Sequence, residues 1–172
     1  MRLFILALSI FILAGCAAGG FMPNAGVSDN VNGRTITSSN NILQSTDNKS
    51  IYFNPSVTIF NNNMNFSMFL SITSACDAKA FNKLKSVMFD IGAEKFIYDI
   101  GQSEYYACGG EFNYTKLTER GGIRINESDF VKLTNAEQLQ IIIMGYNLTS
   151  KYQANSEFIA NLKTFYRFAK DN

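Results

Sequence analysis

The sequence offers few residues for acid–base or nucleophilic chemistry. It contains no histidine, which excludes the nucleophile–histidine pair on which many hydrolases depend. Two carboxylates about 5 to 10 Å apart would suit glycoside hydrolysis, and the candidates are Asp90, Asp99, Glu104 and Glu111. Asp90 and Asp99 alternate with apolar residues of a predicted hairpin, so we interpret them as solvent-facing residues. We therefore expect no enzymatic activity.

The three cysteines are the other reactive side chains. The first, Cys16, follows a segment in which Arg2 is the sole charge and residues 4–13 form an apolar run broken by one serine. This run is shorter than the about 20 residues of a membrane-spanning helix, and the small residues Ala14 and Gly15 follow it. The pattern is typical of a secretory signal, which we place over residues 1–15.

The four residues Leu13-Ala14-Gly15-Cys16 resemble the lipobox of bacterial lipoproteins. The resemblance implies that the Cys16 thiol carries lipid and anchors the protein to a membrane. Several acyl chains on one residue anchor stably, because each buried CH₂ contributes roughly 0.8 kcal/mol. Alanine at position 17, rather than aspartate, implies sorting to the outer membrane of a Gram-negative envelope. Whether the domain faces the periplasm or the outer surface is left open.

With Cys16 assigned to lipid, Cys76 and Cys108 remain as an even pair in an exported chain, where disulfides persist. A bond between them would stabilise the fold by roughly 3–4 kcal/mol in the chain-entropy model. The alternative is a metal site, but two thiols without histidine are a poor ligand set for zinc. Gly109-Gly110 and Gly121-Gly122 lack the helix and lysine of a phosphate-binding loop. We expect a disulfide, no metal and no cofactor.

The charge balance and the tyrosines bear on partners. The 15 basic and 14 acidic residues become equal in number once Arg2 leaves with the signal. A neutral chain is unsuited to nucleic acid, so the expected partners are a membrane, through the lipid, and an envelope protein. A candidate interface is formed by tyrosines, which are enriched at interfaces: Tyr98, Tyr105, Tyr106 and Tyr114. The alternative is that these rings pack in and around a sheet.

Two regions follow the signal. Residues 16–50 are small and polar and predict a lipidated, flexible tether, in which residues 35–37 and 42–43 could form an edge strand. Residues 51–172 are long enough for a single domain with its own core. Strict alternation predicts a half-buried strand over residues 65–73. Phe69 interrupts the polar face of this strand, and we expect it to contact another element.

The remaining pattern predicts hairpins over residues 87–100 and 112–125, the second with its turn at 119–122. Short helices are predicted over residues 74–85 and 126–133. Residues 138–146 predict a strand that is apolar on both faces and lies inside a layered core. A stripe of apolar residues after Asn155 predicts an amphipathic helix that continues to the C-terminus.

Together these elements predict an α+β fold. An antiparallel, meander-like sheet carries the C-terminal helix on one face. The expected function is non-catalytic: binding, scaffolding or maintenance of the envelope. The alternative is a small periplasmic enzyme inhibitor or a carboxylate-dependent hydrolase.

Replacement of the lipidated residue tests the anchor. Cys16→Ser removes the thiol that would carry the acyl chains, so the protein should move from the detergent phase to the aqueous phase after Triton X-114 separation. Cys108→Ser is the matched control and should stay in the detergent phase. A Cys16→Ser protein that still partitions into detergent would contradict the lipobox interpretation.

Overall fold

The computed structural model describes residues 25–31, 33–39, 41–44, 50–74, 83–101, 103–106 and 117–172. Their strands and helices, in chain order, are β1 (Ala25–Asn30), β2 (Gly33–Ser38), β3 (Ile42–Gln44), β4 (Ser50–Phe60), β5 (Asn63–Ser74), β6 (Leu84–Asp90), β7 (Lys95–Asp99), β8 (Glu104–Tyr106), β9 (Leu117–Ile125), α1 (Glu127–Thr134), β10 (Gln140–Gly145), β11 (Thr149–Gln153) and α2 (Ser156–Asp171).

The described strands form two antiparallel sheets. The larger sheet has the order β1-β2-β4-β5-β9-β8, and β3 also pairs with β4. The smaller sheet has the order β11-β10-β6-β7. The predicted α+β class, with the C-terminal helix packed against a sheet, is confirmed. The prediction of one meander-like sheet did not anticipate that the strands divide between two sheets.

The alternation in β5 builds the inner face of the larger sheet. Phe66, Met68, Leu70 and Ile72 are each at most 2% exposed, as the sequence predicts. β4 pairs with β5 along its whole length, from Ser50↔Thr73 to Phe60↔Asn63, and β9 pairs on the other side. Because both neighbours alternate in phase with β5, their apolar residues meet on the same face.

Two different layers cover this inner face. At one end the smaller sheet packs on it, and the rings of Phe53 and Phe89 meet edge to face at 5.9 Å. At the other end the helices pack on it: Phe66 stacks on Phe130 at 4.7 Å, and Phe130 meets Phe165 at 6.0 Å. The aromatic rings therefore join both sheets and both helices into one core.

Both helices begin where the sequence predicts. The Asn126 Oδ1 accepts the Asp129 backbone N–H at 2.8 Å, and the Asn155 Oδ1 accepts that of Phe158 at 2.8 Å. Each bond satisfies a donor that the first helical turn leaves without an intrahelical partner. In α2 the predicted stripe is buried at Phe158, Leu162, Phe165 and Ala169.

The strand β10 confirms the prediction of burial on both faces. Ile141 and Ile143 are fully buried against the core, and Ile142, on the opposite face, is only 7% exposed. β10 lies between β6 and β11, which pair with both of its edges.

The predicted flexible tether is wrong for residues 25–30, 33–38 and 42–44. They form β1, β2 and β3 of the larger sheet, and Ile36 and Leu43 insert fully into the core. The strand expected near residue 36 is confirmed, but β2 is not an edge, because β1 covers it. A polar segment of this kind gains its order from backbone pairing with β4, which composition does not reveal.

Two other local predictions need correction. The residues 119–122 do not turn, because they lie inside β9 between β5 and β8. The helix predicted over 74–85 is wrong at its ends: Ser74 is the last residue of β5, and Leu84 begins β6. Residues 75–82 lie outside the described part of the chain.

Truncation of a buried ring tests the packing of α2. Phe165→Ala should lower the free energy of unfolding by about 3 kcal/mol or more, because it leaves a cavity beside Phe130. Urea titration followed by circular dichroism measures the change. Lys163→Ala, on the exposed side of the same helix, should change it by less than about 0.5 kcal/mol. Similar small effects for both variants would contradict the docking of α2.

Candidate functional site

The outer face of the larger sheet forms a shallow groove across β4, β5, β9 and β8, with a volume of about 1060 Å³. Its lining residues alternate with the core positions, so the pairing that builds the core also directs these side chains to solvent. The side chains that line it are those of Tyr52, Asn54, Ser67, Phe69, Ser71, Thr73, Glu104, Thr118, Arg120 and Arg124.

Phe69 lies at the centre of this groove and is 51% exposed. It pairs in register with Gly122 of β9, and a Cβ on that glycine would stand 3.2 Å from two atoms of the ring. The ring therefore covers the glycine backbone, and any larger residue at position 122 would push it away. The expected contact of Phe69 with another element is thus a contact with the neighbouring strand.

Two arginines flank the ring along β9. Arg120 and Arg124 share the outer face with Gly122, and both are exposed. Arg124 lies four positions after Arg120 on the strand, so their Cα atoms are about 13 Å apart. Arg120 pairs in register with Ser71 and Arg124 with Ser67, which places small hydroxyls rather than bulky groups beside the guanidinium stems.

Polar side chains and a second aromatic ring complete the groove. Tyr52, 39% exposed, pairs with Ser71 in register. The Asn54 Oδ1 accepts the backbone N–H of the buried Asn41 at 3.1 Å, and also its side-chain amide at 3.3 Å. These bonds fix the position of Asn54 beside Phe69, its partner in the β4–β5 register.

The chemistry of the groove suits binding. Of its described lining residues, Glu104 alone is acidic, and one carboxylate lacks the partner that glycoside hydrolysis requires. Guanidinium groups bind carboxylates or phosphates through two parallel hydrogen bonds. An exposed aromatic ring between two such groups adds an apolar contact, so the arrangement matches a ligand with anionic and apolar groups.

The two candidate carboxylates of the hairpin, Asp90 and Asp99, do not come together. Asp90 pairs with Lys95 at one end of β6–β7, and Asp99 pairs with Ser86 at the other. Four residues of β6 separate the two positions, which is about 13 Å and beyond the range for a glycosidase pair. Asp90 instead forms an ion pair with Lys95 at 2.9 Å, and this bond lowers the pKa of the carboxyl group. Glu111 lies outside the described residues.

Tyr98, a predicted interface residue, is half-buried and bonded inside the domain. Its hydroxyl donates to the Asp129 Oδ2 at 2.5 Å and accepts the Asn126 side-chain amide at 2.9 Å. Burial, together with the bond to Asp129, raises the pKa of the Tyr98 hydroxyl. The same bond is the main cause that lowers the pKa of Asp129. The cluster Tyr98, Asn126 and Asp129 therefore ties β7 to the start of α1.

The remaining predicted site residues are three tyrosines and the three cysteines. Tyr105 is 65% exposed on β8, at the edge of the larger sheet. Tyr106 is the last residue of β8, two positions after Glu104. Tyr114 and the three cysteines, Cys16, Cys76 and Cys108, lie outside the described residues. The tyrosine interface, the lipidation and the disulfide stay predictions.

Within the described part of the chain, no cluster of three or more acidic, cysteine or histidine side chains could hold a metal ion. Neither described helix is long and apolar enough to cross a membrane.

The sequence-based prediction does not include the arginines of the groove, because it assigns Glu119-Arg120-Gly121-Gly122 to a turn. A signal was present: Leu117, Glu119, Gly121, Ile123 and Ile125 alternate with the polar residues of β9 and are all buried. Two consecutive glycines conceal this alternation, since glycine has no side chain to assign to a face.

No protein-family model matches this sequence, and no curated protein matches it either. Among solved structures, the crystal structure of invasion associated protein B from Bartonella henselae is similar, with a TM-score of 0.41 and 14% sequence identity. The match covers 84% of this chain and 92% of that chain.

Acid titration tests the cluster of Tyr98, Asn126 and Asp129. The pKa of Asp129 is lowered from its ordinary 3.8 in the folded state. The ionised Asp129 carboxylate therefore stabilises the folded state above pH 3.8. This stabilisation is lost as the pH falls through the lowered pKa. Asp129→Asn should lose roughly 1 kcal/mol of stability at pH 7, and the loss should shrink towards pH 2.

Urea unfolding of both proteins across this range measures the difference. Asp90 and Glu127, whose pKa values are also lowered, are present in both proteins and cancel in the comparison. Tyr98→Phe is the second variant and should reduce the same pH-dependent term. A difference between wild type and Asp129→Asn that is constant with pH would contradict the role of the charge.

Proposed function

We propose that this chain is a lipid-anchored outer-membrane protein whose domain binds an envelope partner in the groove of the larger sheet, without catalysis. The anchor rests on Leu13-Ala14-Gly15-Cys16. The binding role rests on the groove, where an exposed ring lies between two arginines on a continuous sheet.

The arrangement of Phe69 is the observation that carries the proposal. A large apolar side chain placed outward on a central strand costs free energy in water, at roughly 25 cal/mol per Å² of exposed apolar surface. Aromatic and arginine side chains are enriched at protein interfaces, and here they occur side by side. Here the ring lies directly over the backbone of Gly122 on the neighbouring strand.

The order of residues 25–44 limits how far the anchored domain can reach. Because β1 begins at Ala25, eight residues lie between it and Cys16, and the nine Cα–Cα steps span roughly 30 Å at full extension. The domain would then lie close to the membrane that holds the lipid. A partner in that membrane, or in the layer of the envelope next to it, is within reach of the domain. The high local concentration of the anchored domain near such a partner compensates for modest affinity.

We propose no catalytic role for the groove. The hydrolase alternative requires two neighbouring carboxylates, and the described candidates Asp90, Asp99 and Glu104 do not form such a pair in the groove or on the hairpin. The inhibitor alternative depends on a loop near Cys108, which lies outside the described residues.

Site-specific photocrosslinking in living cells tests the binding face. A photoreactive phenylalanine analogue at position 69 should give one discrete adduct, because the groove holds its partner against this ring. The matched control places the analogue at Tyr146, an exposed aromatic residue at the end of β10, where we expect no adduct of that mass.

The adduct at position 69 should also diminish in the Arg124→Glu and Cys16→Ser backgrounds, since the first reverses a charge of the groove and the second removes the anchor. Equal adducts at both positions, or an adduct that Arg124→Glu leaves unchanged, would refute the groove as the binding site.

A further inference from the structure

The charged and aromatic groups of the groove repeat at a fixed interval. Arg120, Gly122 and Arg124 occupy alternate positions of β9, and the Phe69 ring fills the place above the glycine. Alternate positions on a strand are about 6.5 Å apart. The groove therefore presents a positive, an aromatic and a second positive group in a row with equal steps.

An extended peptide has the same step. Its residues i, i+2 and i+4 point to one side at about 6.5 Å intervals. If such a segment lies along β9, side chains at i and i+4 meet the two guanidinium groups, and the side chain at i+2 meets the ring of Phe69. Ser67 and Ser71, beside the two arginines in register, are small and leave room for these side chains.

The charges of the groove select an acidic segment. Two guanidinium groups stand against one carboxylate, that of Glu104, which pairs in register with Arg120. Within the described part of the chain, the Arg124 side chain makes no hydrogen bond or ion pair. Its binding groups are therefore available to a carboxylate, which can take two parallel hydrogen bonds from it.

We propose that the ligand of the groove is an extended peptide segment with acidic side chains at positions i and i+4 and an apolar side chain at i+2. This inference rests on the binding role proposed above and specifies its ligand. A single-stranded nucleic acid could also stack on Phe69, but it follows a continuous basic track, whereas the whole chain has a net charge of only +1.

Fluorescence anisotropy with two labelled peptides tests the spacing. The matched peptide is Glu-Ser-Phe-Ser-Glu and the control is Ser-Glu-Phe-Glu-Ser, both blocked at their ends to remove terminal charges. Their composition and charge are identical, but the control places its carboxylates on the side opposite to the ring. The full-length lipidated protein in non-ionic detergent micelles should bind the matched peptide about tenfold more tightly.

Charge reversal locates the binding. Arg124→Glu and Arg120→Glu should each weaken the matched peptide by about tenfold or more, because a repulsive carboxylate replaces a charged hydrogen bond. Arg167→Glu makes the same change on the exposed side of α2 and should leave affinity unchanged. Circular dichroism melting confirms that each variant folds. Equal affinity for both peptides, or no effect of the groove variants, would overturn the proposal.

Two further probes separate this inference from the proposed function. A labelled oligothymidine or dextran sulfate that binds more tightly than the peptide, and loses binding in Arg124→Glu, would overturn the peptide class but leave the groove a binding site. Failure of all probes would overturn the peptide inference. The crosslinking at position 69 uses no added ligand and decides the binding role independently.

Discussion

The close pairing of β5 with β9 at Gly121 and Gly122 sets both faces of the larger sheet. A Cβ at Gly121 would stand 2.6 Å from Ile100 on the core side, and one at Gly122 would stand 3.2 Å from the Phe69 ring on the solvent side. Because successive residues of a strand point to opposite faces, two adjacent glycines make room on both sides of the sheet at the same point. The core and the groove therefore depend on one short stretch of backbone.

The layers behind the sheet make this stretch a rigid support. The smaller sheet meets the inner face through Phe53 and Phe89, and the helices meet it through Phe66 and Phe130. Close-packed protein interiors resist displacement, so the packing of this core holds the register between β5 and β9. A binding face on a regular sheet keeps its groups at defined spacings, which a loop of the same composition would not.

The anchor and the groove act at different levels of the same proposed function. In this proposal the lipid on Cys16 restricts the protein to a membrane surface, and the groove supplies the chemistry that selects a partner. Arginine side chains with an aromatic ring between them favour association with an anionic, partly apolar segment. Among the described residues that line the groove, Glu104 is the one carboxylate.

The sequence by itself determined the elements whose signals are local. The alternation of β5, the hairpin β6–β7 and the capped helices α1 and α2 follow from periodicity and from Asn126 and Asn155. Only the tertiary structure decided that the polar residues 25–44 join the sheet and that residues 119–122 continue a strand. The reason is that backbone pairing and glycine packing depend on partners far along the chain: Phe69 and Gly122 meet across more than fifty residues, and no local pattern records such a contact.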